Sequence, residues 1–512
     1  MANLDDQPYD DSWHWVLLES GSNQEFIFRS PRRRYSVGAS GLLLDVPGWV
    51  DAACAGSEGV RRVLTTSSKA LLLARTPEAG REVVREATRR AMSQAPGLDF
   101  WGVVEQEVPR ADDGEPRALM QRVAGLHQLH AQVRYERPTP HLRARLLPFS
   151  ATCALTGVAA SRIEHTADGR GKVPVSEQAY AALERAKTSH ADLSQAWPGH
   201  ALTNLKDEID TEGYVAIIHA DGNKVGQLIT GLANHGDVGL YRRVSQALVA
   251  ATAEALTNAI TATAGDQPKQ PWILPLIVGG DDMTVIVDAQ FALAFTANYL
   301  TEFEKATAND PDLAGLAGKV MGRRHLTASA GLVACKASTP FSLVYDLVEA
   351  ATRAAKAAQD DAPARSLLAF IKTTDSVPEA SAGGQTTLMP GPDGSRVLVG
   401  RRIGAMVAPS GAGVSDTVWA AAHSAQTFVD AVRTLGGKDS PLSGSRVQAL
   451  RQELARGELT RSTLHRVQAD GVAARAFLDA HLLVRDSDDQ AAPGFTRVLD
   501  LYEALTLLGK VG

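Results

Sequence analysis

The sequence predicts an α+β protein built from two copies of one unit, with an insert between them and a helical domain after the second. Three observations lead there. The stretch "YVAIIHADGNKVGQLI" (214–229) opens as a buried strand and breaks at Asp221-Gly222 before a helical pattern begins. Further on, "ILPLIV" and "MTVIV" flank "GGDD" (279–282) as the arms of a hairpin, with glycine supplying the turn. The same order of segments also occurs earlier in the chain. With an offset of two hundred residues, "WVLLESGSNQEFIF" falls under "VAIIHADGNKVGQLI", placing Gly21 under Asp221, Ser22 under Gly222 and Asn23 under Asn223.

A second offset lays "TSSKALLLARTPEAGREVVREATRR" under "VGGDDMTVIVDAQFALAFTANYLTE". Ser67 and Ser68 then fall under Gly279 and Gly280, Lys69 under Asp281, and Ala70 under Asp282. "LDFWGVVEQ" and "HLTASAGLVAC" follow as matching strands. The carboxylates are present in the second copy alone.

At 512 residues the chain exceeds one core, and about 150 residues per domain gives three or four units. We expect a first unit over 1–125, an insert over 126–205, a second unit over 206–385 and a helical domain over 386–512. The insert reads as loop-rich, with turn chemistry in "ADGRGK". Its Cys153, followed by Thr-Gly, resembles the remnant of a zinc ribbon, but one cysteine without paired ligands makes a structural zinc unexpected. "TTDSVPEASAGGQTTLMPGPDGSR" marks a boundary, and apolar positions at helical spacing follow it.

Composition narrows the classes. A net charge of -6 gives no global nucleic-acid footprint, so any such contact must be local. Cys54, Cys153 and Cys335 are far apart and form no even framework, which suits a reducing compartment. "MANLDDQPYDDSWHW" lacks a signal-peptide apolar run, and no stretch approaches the ~20 apolar residues of a membrane span. A cytoplasmic location without membrane contact is expected.

The chemistry centres on the acids. If the strand ending at Asp221 neighbours the hairpin, Asp221 and the Asp281/Asp282 pair converge at one edge of the sheet. Carboxylates so placed can hold Mg²⁺ together with substrate phosphates. "GGDD" alone also fits a plain polar turn; its pairing with an Asp-Gly at the end of a buried strand favours catalysis or nucleotide binding. Gly279 and Gly280 leave room for a ligand beside the backbone. The run Arg29, Arg32, Arg33 and Arg34 is the best candidate for a polyanion contact, although a charge run of this size is more often a solvated face. His219 reads as a packed strand residue.

These residues carry a resemblance. "DGNKVG", "GGDD", "TASAGLVACK" and "EAATRAAKAA" resemble the catalytic palm of GGDEF-type cyclases, and most of all the large polymerase/cyclase subunit of type III CRISPR complexes. "NQEFIFRSPRRRYSVGASGLL" is similar to the first, non-catalytic palm of that family. The resemblance implies two tandem ferredoxin-like palm domains that bind two ATP molecules between them and join them 3′ to 5′ into linear or cyclic oligoadenylates, messengers of antiphage defence. Asp221, Asp281 and Asp282 would hold Mg²⁺ or Mn²⁺. Gly222, Asn223, Gly279, Gly280, Ser329 and Lys356 would line the nucleotide, and Lys69 would face an acceptor from the first palm. A guide-RNA effector complex or RNA would be the partner, and an oligomer stays open. Asn223 departs from the family's D-G-D-x-M-G, and no His-Asp dipeptide marks an HD nuclease. A non-catalytic nucleotide-binding scaffold and a homodimeric mono- or dinucleotide cyclase are the alternatives.

Overall fold

The computed structural model describes residues 11–66, 68–110, 117–137, 147–165, 171–196, 213–235, 237–264, 272–337, 339–360, 364–373, 387–390, 396–399, 405–412, 423–437, 439–455, 471–481, 494–496, 501 and 504–505. Ser67 lies outside them.

The first unit runs β1 (His14–Gly21), α1 (Asn23–Phe28), α2 (Arg33–Leu44), α3 (Val46–Ala55), β2 (Val60–Thr65), β3 (Lys69–Ala74), α4 (Pro77–Gln94), β4 (Asp99–Val104) and α5 (Leu119–Glu136). Its sheet has the order β2-β3-β1-β4, antiparallel throughout. Alternation along β1 sorts its side chains between two cores. Trp15 and Leu17 pack with Val123 and Leu126 of α5, while Val16 and Leu18 pack with Val83 and Ala87 of α4. Thr76 starts α4 by accepting the Ala79 N–H at 3.2 Å, ahead of a proline at the first helical position.

The insert holds β5 (Arg162–His165), β6 (Lys172–Val175) and α6 (Glu177–Ala196). Two expectations change here. The boundary at residue 125 falls inside α5, and the stretch read as loop-rich contains a long helix that packs on α2. Small residues make that contact close: a side chain at Gly38 would meet the Ala182 carbonyl, and Gln178 donates to the Tyr35 hydroxyl at 2.7 Å. The turn around Cys153 is closed by hydrogen bonds, with Leu155 N–H on its sulfur and Thr156 Oγ1 3.1 Å from Ser176 Oγ.

The second unit runs β7 (Tyr214–Gly222), α7 (Val225–His235), α8 (Val238–Ala264), β8 (Ile273–Gly279), β9 (Asp282–Asp288), α9 (Ala289–Asn309), α10 (Pro311–Met321), β10 (Ala328–Lys336), α11 (Phe341–Ala357) and β11 (Leu367–Lys372). Four of its strands stand in the order β8-β9-β7-β10, the first sheet's order again; β11 continues it in parallel beyond β10. Ala216, Ile218 and Ala220 share a core with α8 and α9, while Val215 and Ile217 face Val344 and Val348 of α11.

After it come β12 (Thr387–Pro390), β13 (Arg396–Val399), β14 (Ala405–Val407), α12 (Ala425–Gly436), α13 (Gly444–Ala455), α14 (Val472–His481) and β15 (Gly494–Thr496). Strand β14 pairs with β11, and β12, β13 and β15 form their own sheet. The described residues here are therefore mixed rather than all helical, because "RVLV" and "TLMP" are short β-forming runs between helices.

The two units touch through corresponding elements: α1 meets α11 and α5 meets α7, while α2 meets β8 and α8 meets β2. Phe28 stacks on Tyr345 with ring centroids 4.5 Å apart, and Arg33 donates to the Ala337 carbonyl at 2.7 Å.

Candidate active site

Strand β7 delivers Asp221 to the edge of its sheet, between Asp282 on β9 and Ser329 on β10. The chain then turns through Lys224 at φ 62 into α7. In the β8–β9 hairpin Gly279 pairs with Asp282, and Gly280 takes φ 62, the left-handed conformation that favours glycine. Thr252 of α8 fixes the turn by donating to the Gly280 carbonyl at 2.7 Å. Asp281 is thereby laid over Gly222. A Cβ on Gly222 would stand 2.8 Å from Asp281 Cβ, 3.0 Å from its Oδ2 and 2.7 Å from Val225 Cγ2. A bare backbone is what admits the carboxylate there.

The result is one cluster: Asp221, Asp281 and Asp282 each offer an oxygen, and these lie within 4.8 Å of one another. Crowding shows in their acidity. Burial, and then Asp221, push Asp281 up to about 6; burial, and then Asp281 and Asp221, push Asp282 up to about 8. Lys356, in the last turn of α11, opposes both shifts and bonds Asp221 Oδ2. An all-oxygen set of converging carboxylates has the chemistry of a hard divalent cation's ligands.

Behind the cluster, His219 is buried, bonds Thr284 Oγ1 at 2.9 Å and has its pKa lowered by burial, as a packed strand residue should. Asn223 and Ser329 also lie inside. Ser329 Oγ donates to Asn223 Oδ1 at 2.8 Å, and Asn223 Nδ2 donates to Thr327 Oγ1 at 3.1 Å and Gln359 Oε1 at 2.5 Å. Ser329 is 0% exposed and Asn223 5%, and their hydrogen bonds brace the loop. The sequence held no sign of Gln359, which closes this network from beyond α11.

In the first unit the matching edge is built differently. Glu19 stands opposite Lys69 as Asp221 stands opposite Asp282. The alignment on Gly21 therefore misses Glu19 by two positions. Lys69 Nζ donates to His127 Nε2 of α5 at 3.1 Å, and its own pKa is lowered by burial. Burial and then Lys69 hold both His127 and His130 neutral, each lowered to about 4. Two histidines three residues apart on one helix were the available signal for this group. The arginine run divides: Arg29 pairs with Glu25 and Arg33 with the second unit, while Arg32 and Arg34 are exposed.

Residues 214–364 match the Cas10/Cmr2 second palm domain family. Three similar chains come from the Csm1–Csm4 cassette. The structures in complex with cA4 and with AMPPNP each have 12% identity and a TM-score of 0.51, covering 98% of this chain and 70% of that chain. The one in complex with cA3 has 12% identity and a TM-score of 0.50, covering 99% and 71%. At this identity the likeness shows the fold. No curated protein matches. The chain carries a palm domain and resembles the large, Cas10-type subunit of type III CRISPR complexes. No helix among the described residues is long and apolar enough to cross a membrane.

Proposed function

We propose that this chain is a nucleotidyltransferase that joins ATP 3′ to 5′ into linear or cyclic oligoadenylates, with two palm units facing one another and the acids of the second as its catalytic edge. The observation that carries this reading is the convergence of Asp221, Asp281 and Asp282 within 4.8 Å. The shared strand order and the corresponding contacts α1–α11 with α5–α7 support a pseudo-twofold pair of palms. Similar chains crystallised with cA4, cA3 and AMPPNP support adenine nucleotides as ligands, and their cassette with Csm4 supports an effector-complex partner.

Mg²⁺ or Mn²⁺ held by the three aspartates would supply activation of a 3′-hydroxyl and neutralise the leaving pyrophosphate. The chain's own groups do the placing. Gly222 keeps space for Asp281, and Gly280 and Thr252 hold the hairpin turn that sets both acids. Lys356 stands beside the cluster as a compact cation for the triphosphate. Lys69, whose hydrogen bond is to a neutral imidazole, presents positive charge to an acceptor from the first unit. Asn223 fits a braced loop rather than a decayed site: its amide N–H donates to Gln359 Oε1, which an ionised carboxylate could not do.

The test is incubation of the purified protein with each labelled NTP and Mg²⁺ or Mn²⁺, with products resolved by mass. Oligoadenylates are expected with ATP. Absence of any phosphodiester product with all four NTPs, in the presence of the activating complex, would leave the scaffold reading in its place.

A further inference from the structure

We infer that Lys356 is the resident counter-cation of the acid cluster, and that a divalent ion enters only by displacing it from Asp221. The inference rests on the reading of Asp221, Asp281 and Asp282 as metal ligands and adds how that site is kept before loading.

Three half-buried carboxylates within 4.8 Å repel one another and need a positive charge. Among the described residues the ion pair they make is with Lys356, whose ammonium sits on Asp221 Oδ2. Asp221 is one of the three converging carboxylates a metal would need, so ammonium and metal compete for the same side chain. The lysine is suited to leave. Its side chain is 40% exposed, it has a flexible four-carbon stem, and it stands in the last turn of α11, where the helix dipole favours a cation outside the cluster as well. A residue that served phosphate alone would leave metal affinity unchanged when no nucleotide is present. A place-holder makes the opposite demand: its removal must strengthen metal binding.

The experiment uses the full chain without nucleotide and follows free Mn²⁺ by electron paramagnetic resonance during titration. Lys356→Met should tighten Mn²⁺ binding by about tenfold, the low end for removing one partner of a close charge pair. Lys356→Arg, which keeps a cation on Asp221, should stay near wild type. In melting curves without metal, Lys356→Met should unfold at lower temperature than wild type, and Mn²⁺ should raise its midpoint by more. Equal or weaker Mn²⁺ binding by the methionine variant overturns the inference and leaves the metal reading intact. If neither wild type nor variant binds Mn²⁺, the metal reading fails and takes this inference with it.

Discussion

Replacing Gly222 by alanine tests the site through a single methyl group. The new Cβ would lie 2.7–3.0 Å from Val225 Cγ2, Asp281 Cβ and Asp281 Oδ2, where ordinary contact is 3.4–4 Å. Something must move by about 0.5–1 Å, and overpacking of this order costs ~1–3 kcal/mol. Strand β7 is pinned on both sides by β9 and β10, so the hairpin turn bearing Asp281 is the part that yields. A misplacement of about 1 Å at a reacting centre lowers rate by about a hundredfold. Oligoadenylate synthesis should therefore fall far more than stability does. Gly226→Ala is the control: it lies four residues on, in α7, with nothing within 4 Å of its new Cβ, and should keep activity while gaining up to ~1 kcal/mol. The assays are product yield, urea unfolding and Mn²⁺ affinity. A Gly222→Ala protein with wild-type rate and metal affinity would refute the idea that the bare backbone sets Asp281.

The other expectations concern charge. Asp281→Ala with Asp282→Ala should abolish nucleotide joining and leave the fold intact by circular dichroism, since both acids sit at a turn and relief of their repulsion offsets lost contacts. For pH, Asp281 and Asp282 rise in the fold from 3.8 to about 6 and about 8. Each is raised above its unfolded value, so the native state holds the extra protons in that window and their contribution to stability is lost as pH climbs through it. Metal-free protein should gain stability from about pH 8 down to about pH 4, the unfolded carboxyl value, relative to the double alanine variant; urea titrations showing no difference would contradict the site's electrostatics. Lys69→Ala should weaken binding of a non-hydrolysable ATP analogue at the acceptor position without changing Mn²⁺ affinity, and calorimetry separates the two. The same change should let His127 titrate above its present pKa of about 4, read by its ring-proton shifts in nuclear magnetic resonance.

The sequence revealed the elements whose logic is local. "YVAII" and the arms of "GGDD" are apolar runs bounded by turn residues, and they became β7, β8 and β9 where expected. The repeat was visible because strand, helix and hairpin recur in order. What escaped depends on register. Glu19 faces Lys69 through pairing of β1 with β3, and an offset read from one strand cannot fix the slip of its neighbour. Asn223 and Ser329 looked like ligands because they adjoin the motifs. Their burial follows from Gln359 and Thr327, which are distant in sequence. Helix α6 is hard to see within the loop-rich insert because its face toward α2 is built on alanines such as Ala179 and Ala182, with Ala182 closing on Gly38, rather than on a broad apolar stripe.

The two sheet edges share a strand order but have opposite charge designs. In the second unit Asp221 and Asp282 are on the strands, Asp281 is in the turn between β8 and β9, and the cation, Lys356, comes from the helix after β10. In the first the cation, Lys69, is on the strand opposite a single acid, Glu19, and the helix after β4 supplies neutral imidazoles. Such an inversion suits a reaction in which one edge must concentrate metal while the opposite edge holds only negative phosphate. A carboxylate at position 69 would make both edges acidic, and a lysine at position 282 would make both basic. On the proposed function, either change would remove the polarity that would tell a donor nucleotide from an acceptor. The division of labour between the units would, on that function, rest on which element, strand or helix, carries the positive charge.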